Sequence, residues 1–338
     1  MNLFSTFKSF VLIFLVATLA ACGGGGDPAP TTPEPTTPSA VAPKVTTVPS
    51  PTYTGEELAA FTALNNARSN CGFGLLKQDT RLDQAAIGHA DWQIYNRIAA
   101  HFQTADTPRF TGVTPLDRIR AQGYTDTQAE NVQDEFVYGT GTNDKTGFGA
   151  FSIKNLLNAP YHAAGVLGGF RDVGIAVRNM TDAGATDASS GRRVTVLNPA
   201  FQNSAGSQQA AYGDTDVFTY PCAGSTDVAR SLFNEYPNPV PGRDLAVEPL
   251  GTTIHIALKE GRQLVINSAS VTPISGGQPV EMATSVTSVN DPNAFFKSHQ
   301  GYVAANAPLA ANTTYQVTIT GANNGVLFSR TFSFTTGN

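Results

Sequence analysis

A short apolar run at residues 10–19 follows a single basic residue, Lys8, and ends in small residues just before Cys22. That arrangement reads as a signal peptide over residues 1–21, because the run is too short for a stable membrane span. Whatever folds must then fold after export, in an oxidising compartment and without those residues. The same feature sorts the three cysteines. Cys22 lies at the cleavage point, and Cys71 and Cys222 are left as a pair that an oxidising compartment favours as a disulfide. A reactive thiolate at Cys71 is the rival reading, but no local base accompanies it.

The stretch Leu19-Ala20-Ala21-Cys22 resembles the lipobox of bacterial lipoproteins, in which the cysteine is acylated and becomes the first residue of the mature chain. The resemblance implies an extracytoplasmic protein whose membrane contact is its N-terminal lipid alone. Gly23 after the cysteine implies the outer membrane where there are two. Cleavage by an ordinary signal peptidase at the Ala-x-Ala-like site is the alternative. Residues 22–52 carry four glycines and then a Pro/Thr-rich stretch that cannot bury enough apolar surface to fold, and so read as a tether. With 14% charged residues, a net charge of -5 and no basic stripe, the chain gives no support to nucleic acid as a partner.

Residues 53–224 read as helices followed by a small sheet. Thr54-x-x-Glu57 predicts a capping box for a first helix, with Leu58, Phe61 and Leu64 on one face and a stop at Cys71-Gly72. A second helix over residues 79–100 carries Leu82, Ala86, Ala90 and Ile94, with His89 inside its apolar stripe as a hydrogen-bonded core residue. Thr114-Pro115 opens a third helix, in which Asp117-Arg118 reads as a local ion pair or a loop support. Residues 149–157 continue as helix, Pro160 restarts a turn that carries His162, and 173–177 with 193–197 alternate as a hairpin.

Leu64-Asn65-x-Ala67-Arg68, His89-Ala90, His101, Asp117-Arg118-Ile119, Gly123-Tyr124, Ala129-Glu130-Asn131-Val132, Asn158-Ala159-Pro160-x-His162 and Gly174-Ile175-Ala176-Val177 occur in the order found in the bacterial CAP superfamily, named for cysteine-rich secretory proteins, antigen five and pathogenesis-related proteins. The resemblance implies an α+β fold, a three-layer α-β-α sandwich with an open cleft. By position His101 and His162 resemble the two cleft histidines and Glu130 the first acid. The second acid has no counterpart, since residues 153–159 hold no carboxylate. Two imidazoles and a carboxylate are a sufficient ligand set for a divalent ion such as zinc. Each residue also has a scaffold reading: His101 capping helix carbonyls, Glu130 holding His101 or backbone amides, His162 covering the sheet.

Residues 228–338 alternate in short runs with turn signals at Gly276-Gly277 and Asn324-Gly325, and resemble an all-β immunoglobulin-like sandwich with Tyr315 as its corner tyrosine. His255 and His299 read as ordinary strand or loop residues. Three functions follow from this reading. A cleft could bind a small apolar or envelope-derived ligand. The chain could be a non-catalytic adhesion or scaffold protein that meets an envelope protein through its β-rich part. A metal-assisted hydrolase could use His101, Glu130 and His162. No HExxH helix, GxSxG elbow or phosphate loop is present, and no catalytic residue is assigned.

Overall fold

The computed structural model describes residues 42–187 and 191–338. The expected signal peptide, Cys22, Gly23 and most of the expected tether lie outside the described residues, as do residues 188–190. Among the described residues there are five α-helices and four sheets. None of the helices is long and apolar enough to cross a membrane.

Helix α1 (Gly55–Asn70) follows Thr54 without the expected capping box, since the Thr54 side chain makes no cap hydrogen bond. Its acids turn to tertiary work instead. Glu56 accepts from the Gly147 and Gly149 amides, and Glu57 accepts from Val177 N. Helix α2 (Thr80–Asn96) is capped by Asp79, which accepts from Arg81 N, and ends where Arg97 turns left-handed. In α3 (Pro115–Ala121) the capping box is complete, with Thr114 and Asp117 serving each other's backbone. Helices α4 (Phe148–Asn158) and α5 (Pro160–Val166) meet at Ala159. Arg68 is fully buried and ties α1 to the end of α5, donating to Gly74 O, Val166 O and Gly168 O at 2.6 to 3.1 Å.

Strands β1 (Lys77–Gln78), β2 (Glu135–Thr140), β3 (Asp172–Asn179) and β4 (Arg192–Ala200) form a sheet in the order β1-β3-β4-β2. Helix α2 packs on it through Ala86, Ala90 and Ile94 against Ala176, Val194 and Val196. Phe61, Leu64, Ile153 and Leu156 of α1 and α4 pack with Val173, Ile175 and Leu197. Alternation along β3 supplies both sets of contacts.

The remaining strands are β5 (Phe218–Tyr220), β6 (Ser225–Val228), β7 (Ser231–Leu232), β8 (Leu250–Gly251), β9 (Thr253–Ala257), β10 (Leu264–Pro273), β11 (Val286–Thr287), β12 (Gln300–Ala304), β13 (Thr314–Asn323) and β14 (Val326–Thr336). They form sheets in the orders β10-β13-β14-β6, β11-β12-β9-β5 and β7-β8. The β13–β14 turn uses Asn324 and Gly325, both at positive φ, as an Asn-Gly hairpin requires. Tyr315 accepts from Ala310 N at 2.9 Å.

These sheets overturn the expected architecture of a three-layer α-β-α CAP sandwich followed by a separate immunoglobulin-like sandwich. Among the described residues there are five α-helices and four small mixed or antiparallel sheets, and these residues form one compact unit. The reason is the pairing itself. Strand β5, which precedes Cys222, pairs with β9, and the Ala257 side chain belongs to the core built by α1 and α4. Asn158 at the end of α4 donates to Ser231 O and accepts from the Thr253 hydroxyl. The disulfide joins Cys71, at the end of α1, to Cys222 across 151 residues.

Candidate functional site

Two imidazoles approach each other where α5 faces the segment after α2. His101 and His162 have ring centroids 6.4 Å apart, so these two residues of the expected cleft are brought together. Glu130 is not. It lies exposed on the turn Ala129–Asn131 and lines a different cleft with Gln133 and Tyr161. The carboxylates beside the histidines are Asp134, Glu135 and Glu235.

Asp134 is the organising group. Its side chain is 1% exposed, and its oxygens accept from Arg118 Nη2 at 3.1 Å, Asn198 Nδ2 at 2.8 Å and His101 Nδ1 at 3.0 Å, with His89 Nε2 at 3.5 Å. Burial alone would raise its pKa, but His89, Arg118 and His101 outweigh burial and hold the carboxyl far below the usual range. Arg118 is thus the buried counter-ion of Asp134, and Asp117 belongs to the cap. His89 is fully buried on α2, and Gln103 Nε2 donates to its Nδ1 at 3.1 Å. Burial, with Arg118 and His101, lowers its pKa to about 4, against the pull of Asp134.

His101 keeps 37% of its side chain exposed and packs against Phe136, at 4.8 Å between centroids. With Nδ1 on Asp134, its Nε2 is the edge left to present. Burial opposes the charged ring, yet the hydrogen bond and charge of Asp134, with Glu135, raise its pKa overall. His162 is more enclosed. Its Nδ1 meets Glu235 Oε1 at 2.8 Å and its Nε2 lies 3.6 Å from Glu135 Oε2. Glu135 is buried and takes a hydrogen bond from Gln133 Nε2 at 2.9 Å. A Cβ on Gly165 would fall 1.9 Å from its Oε1, so glycine there leaves room for the carboxylate in this position.

Burial pushes the Glu135 carboxyl up to about 7, against the pull of His162 and His101. Burial works against the His162 imidazolium as well, but Glu135 and Glu235 outweigh it and raise the pKa to about 9. Both values exceed the ordinary ones, so both groups favour the folded state at low pH and lose that contribution as pH rises. For Glu135 the loss falls between pH 4.5 and about 7, and for His162 between pH 6.5 and about 9. Calorimetric melting temperatures should therefore fall by on the order of 5 °C from pH 5 to pH 9. In His162→Gln the fall above pH 7 should largely vanish. A wild-type Tm that stays level or climbs over pH 6.5 to 9 would rule this account out.

Among the described residues, no group of three or more His, Cys, Asp or Glu side chains is disposed to hold a metal ion. The three-residue zinc set expected from position does not assemble, because Glu130 lies on the turn Ala129–Asn131, away from the two imidazoles. Asp134 and Glu135 had a local signal that was passed over: two adjacent acids entering an apolar strand. Glu235 had none, since it lies in a Pro-rich stretch that reads as a hinge.

Fold and site together define a disulfide-closed chain of helices and small sheets that holds two carboxylate-anchored histidines side by side. No known family model matches the chain, and no curated protein matches it. Among solved structures the chain is similar to an outer surface protein from Borrelia burgdorferi, at 17% identity and a TM-score of 0.31, over 44% of this chain and 93% of that one. None of these findings places the chain in the CAP superfamily.

Proposed function

We propose that this chain is an extracytoplasmic protein, anchored through a lipid on Cys22 in the outer membrane, that binds a small envelope-derived ligand at His101 and His162. The observation that carries the reading is the His101 ring, 37% exposed, held through Nδ1 by Asp134 and with its pKa raised. Such a group donates to an anionic or carbonyl oxygen. Phe136 beneath the ring and the exposed Phe102 beside it in sequence supply apolar surface for the rest of the molecule. The ligand is therefore amphipathic, with an acceptor head and an apolar body. Among the described residues no three-residue ligand set supports metal-assisted hydrolysis, and a scaffold role leaves the exposed part of His101 unused.

Native mass spectrometry of the full chain tests the proposal, with His101→Ala prepared identically to control for detergent and anchor lipid. Wild type should carry a bound organic mass whose occupancy drops at least about tenfold in the variant, while Tm changes by no more than roughly 2 °C. A variant that loses stability but keeps the same bound mass would make His101 a scaffold residue.

A further inference from the structure

A cleft of about 530 Å3 is lined by α5, the turn that carries Glu130, the Glu260 turn and the loop before β12. That volume lies within the roughly 300 to 1,000 Å3 of small-ligand sites. Its chemistry differs from that of the histidine pair. Two exposed carboxylates, Glu130 and Glu260, stand on its lining. Phe295 presents an aromatic ring that is 57% exposed and packs 5.2 Å from Tyr161. Gln209 is 4% exposed, and its Oε1 faces His299 Nε2 at 3.2 Å while its Nε2 has no hydrogen-bond partner. A buried amide donor without a partner is costly, and here it belongs to the wall of a cleft large enough to admit one. The Glu260 amide donates to Gln209 O at 3.3 Å, so the acidic turn and the amide are held to each other.

We propose that this cleft is a binding site for a saccharide. The lining offers strong acceptors in Glu130 and Glu260, a buried donor in Gln209 and a flat aromatic face in Phe295. Sugar hydroxyls both donate and accept, and the apolar face of a pyranose stacks on an aromatic ring. Glu130 and Glu260 outnumber the one cation on the lining, Lys297, and so disfavour an anionic ligand. This site is independent of the ligand proposed for His101 and His162.

Isothermal titration of the full chain in detergent with chitotriose, cellotriose and maltotriose tests it. At least one trisaccharide should bind, and Phe295→Ala should weaken it about tenfold, with Glu260→Gln weakening it as well. Both side chains are exposed, so Tm should stay unchanged, and His101→Ala should leave saccharide binding intact. No binding of any of the three at about 10 mM would overturn the proposal. Binding that ignores Phe295→Ala and Glu260→Gln would also overturn it, as would binding of spermidine in place of any sugar.

Discussion

Replacing Asp134 with alanine should destabilise the chain by about 3–5 kcal/mol, the range for leaving one member of a buried ion pair without its partner. Arg118 is 0% exposed, and in the variant its guanidinium would keep only the carbonyls of His101 and Val113. Asn198 Nδ2 and His101 Nδ1 would lose their acceptor as well. Asp134→Asn retains the shape but not the charge, so it should recover the packing and part of the hydrogen bonding while leaving Arg118 uncompensated. Urea denaturation of both variants gives the free energies, and NMR titration of His101 reads the site. Its pKa, raised in wild type, should fall in both. A loss below about 1 kcal/mol in the alanine variant would mean that Asp134 is not the group that holds these elements together.

Gly174→Ala should cost on the order of 3 kcal/mol or more, although it adds only one methyl group. A Cβ there would lie 2.0 Å from the Leu82 carbonyl carbon and 2.3 Å from both Leu82 O and Asp83 N. All three are backbone atoms of α2, so no rotamer change can relieve the overlap and the helix itself must move off β3. That movement would also displace His89 and Asp83, whose Oδ1 accepts from Ile175 N at 3.0 Å. The melting temperature is the direct readout. A Gly174→Ala chain that melts with wild type would show that α2 can slide on the sheet without loss.

Several elements were readable locally because their determinants lie within four residues. Thr114-Pro115 and Asp117 set the start of α3 by satisfying the first amides of the helix, whatever surrounds it. Asn324-Gly325 turns β13 into β14 because few other residue pairs take that backbone at low cost. Thr54-x-x-Glu57 has the same local grammar, and there it failed: Glu57 found a better partner in the Val177 amide of β3 than in its own helix. Strand β12 had no alternation to read, because Gln300–Ala304 is buried throughout.

At the site, position along the chain pointed to His101, His162 and Glu130, whereas the carboxylates that meet the two imidazoles are Asp134, Glu135 and Glu235. A carboxylate four residues along, or seventy-three residues beyond His162, becomes a partner only when the backbone returns it to hydrogen-bond distance. What the sequence by itself determined is therefore what short-range chemistry controls: the helix starts, the hairpin turn, and the two cysteines left to pair. What only the tertiary structure decided is which acid meets which histidine, and that the β-rich half shares strands and core with the helical half. Those choices rest on burial and pairing between residues far apart in the chain, where desolvation makes each partner matter and no local pattern records it.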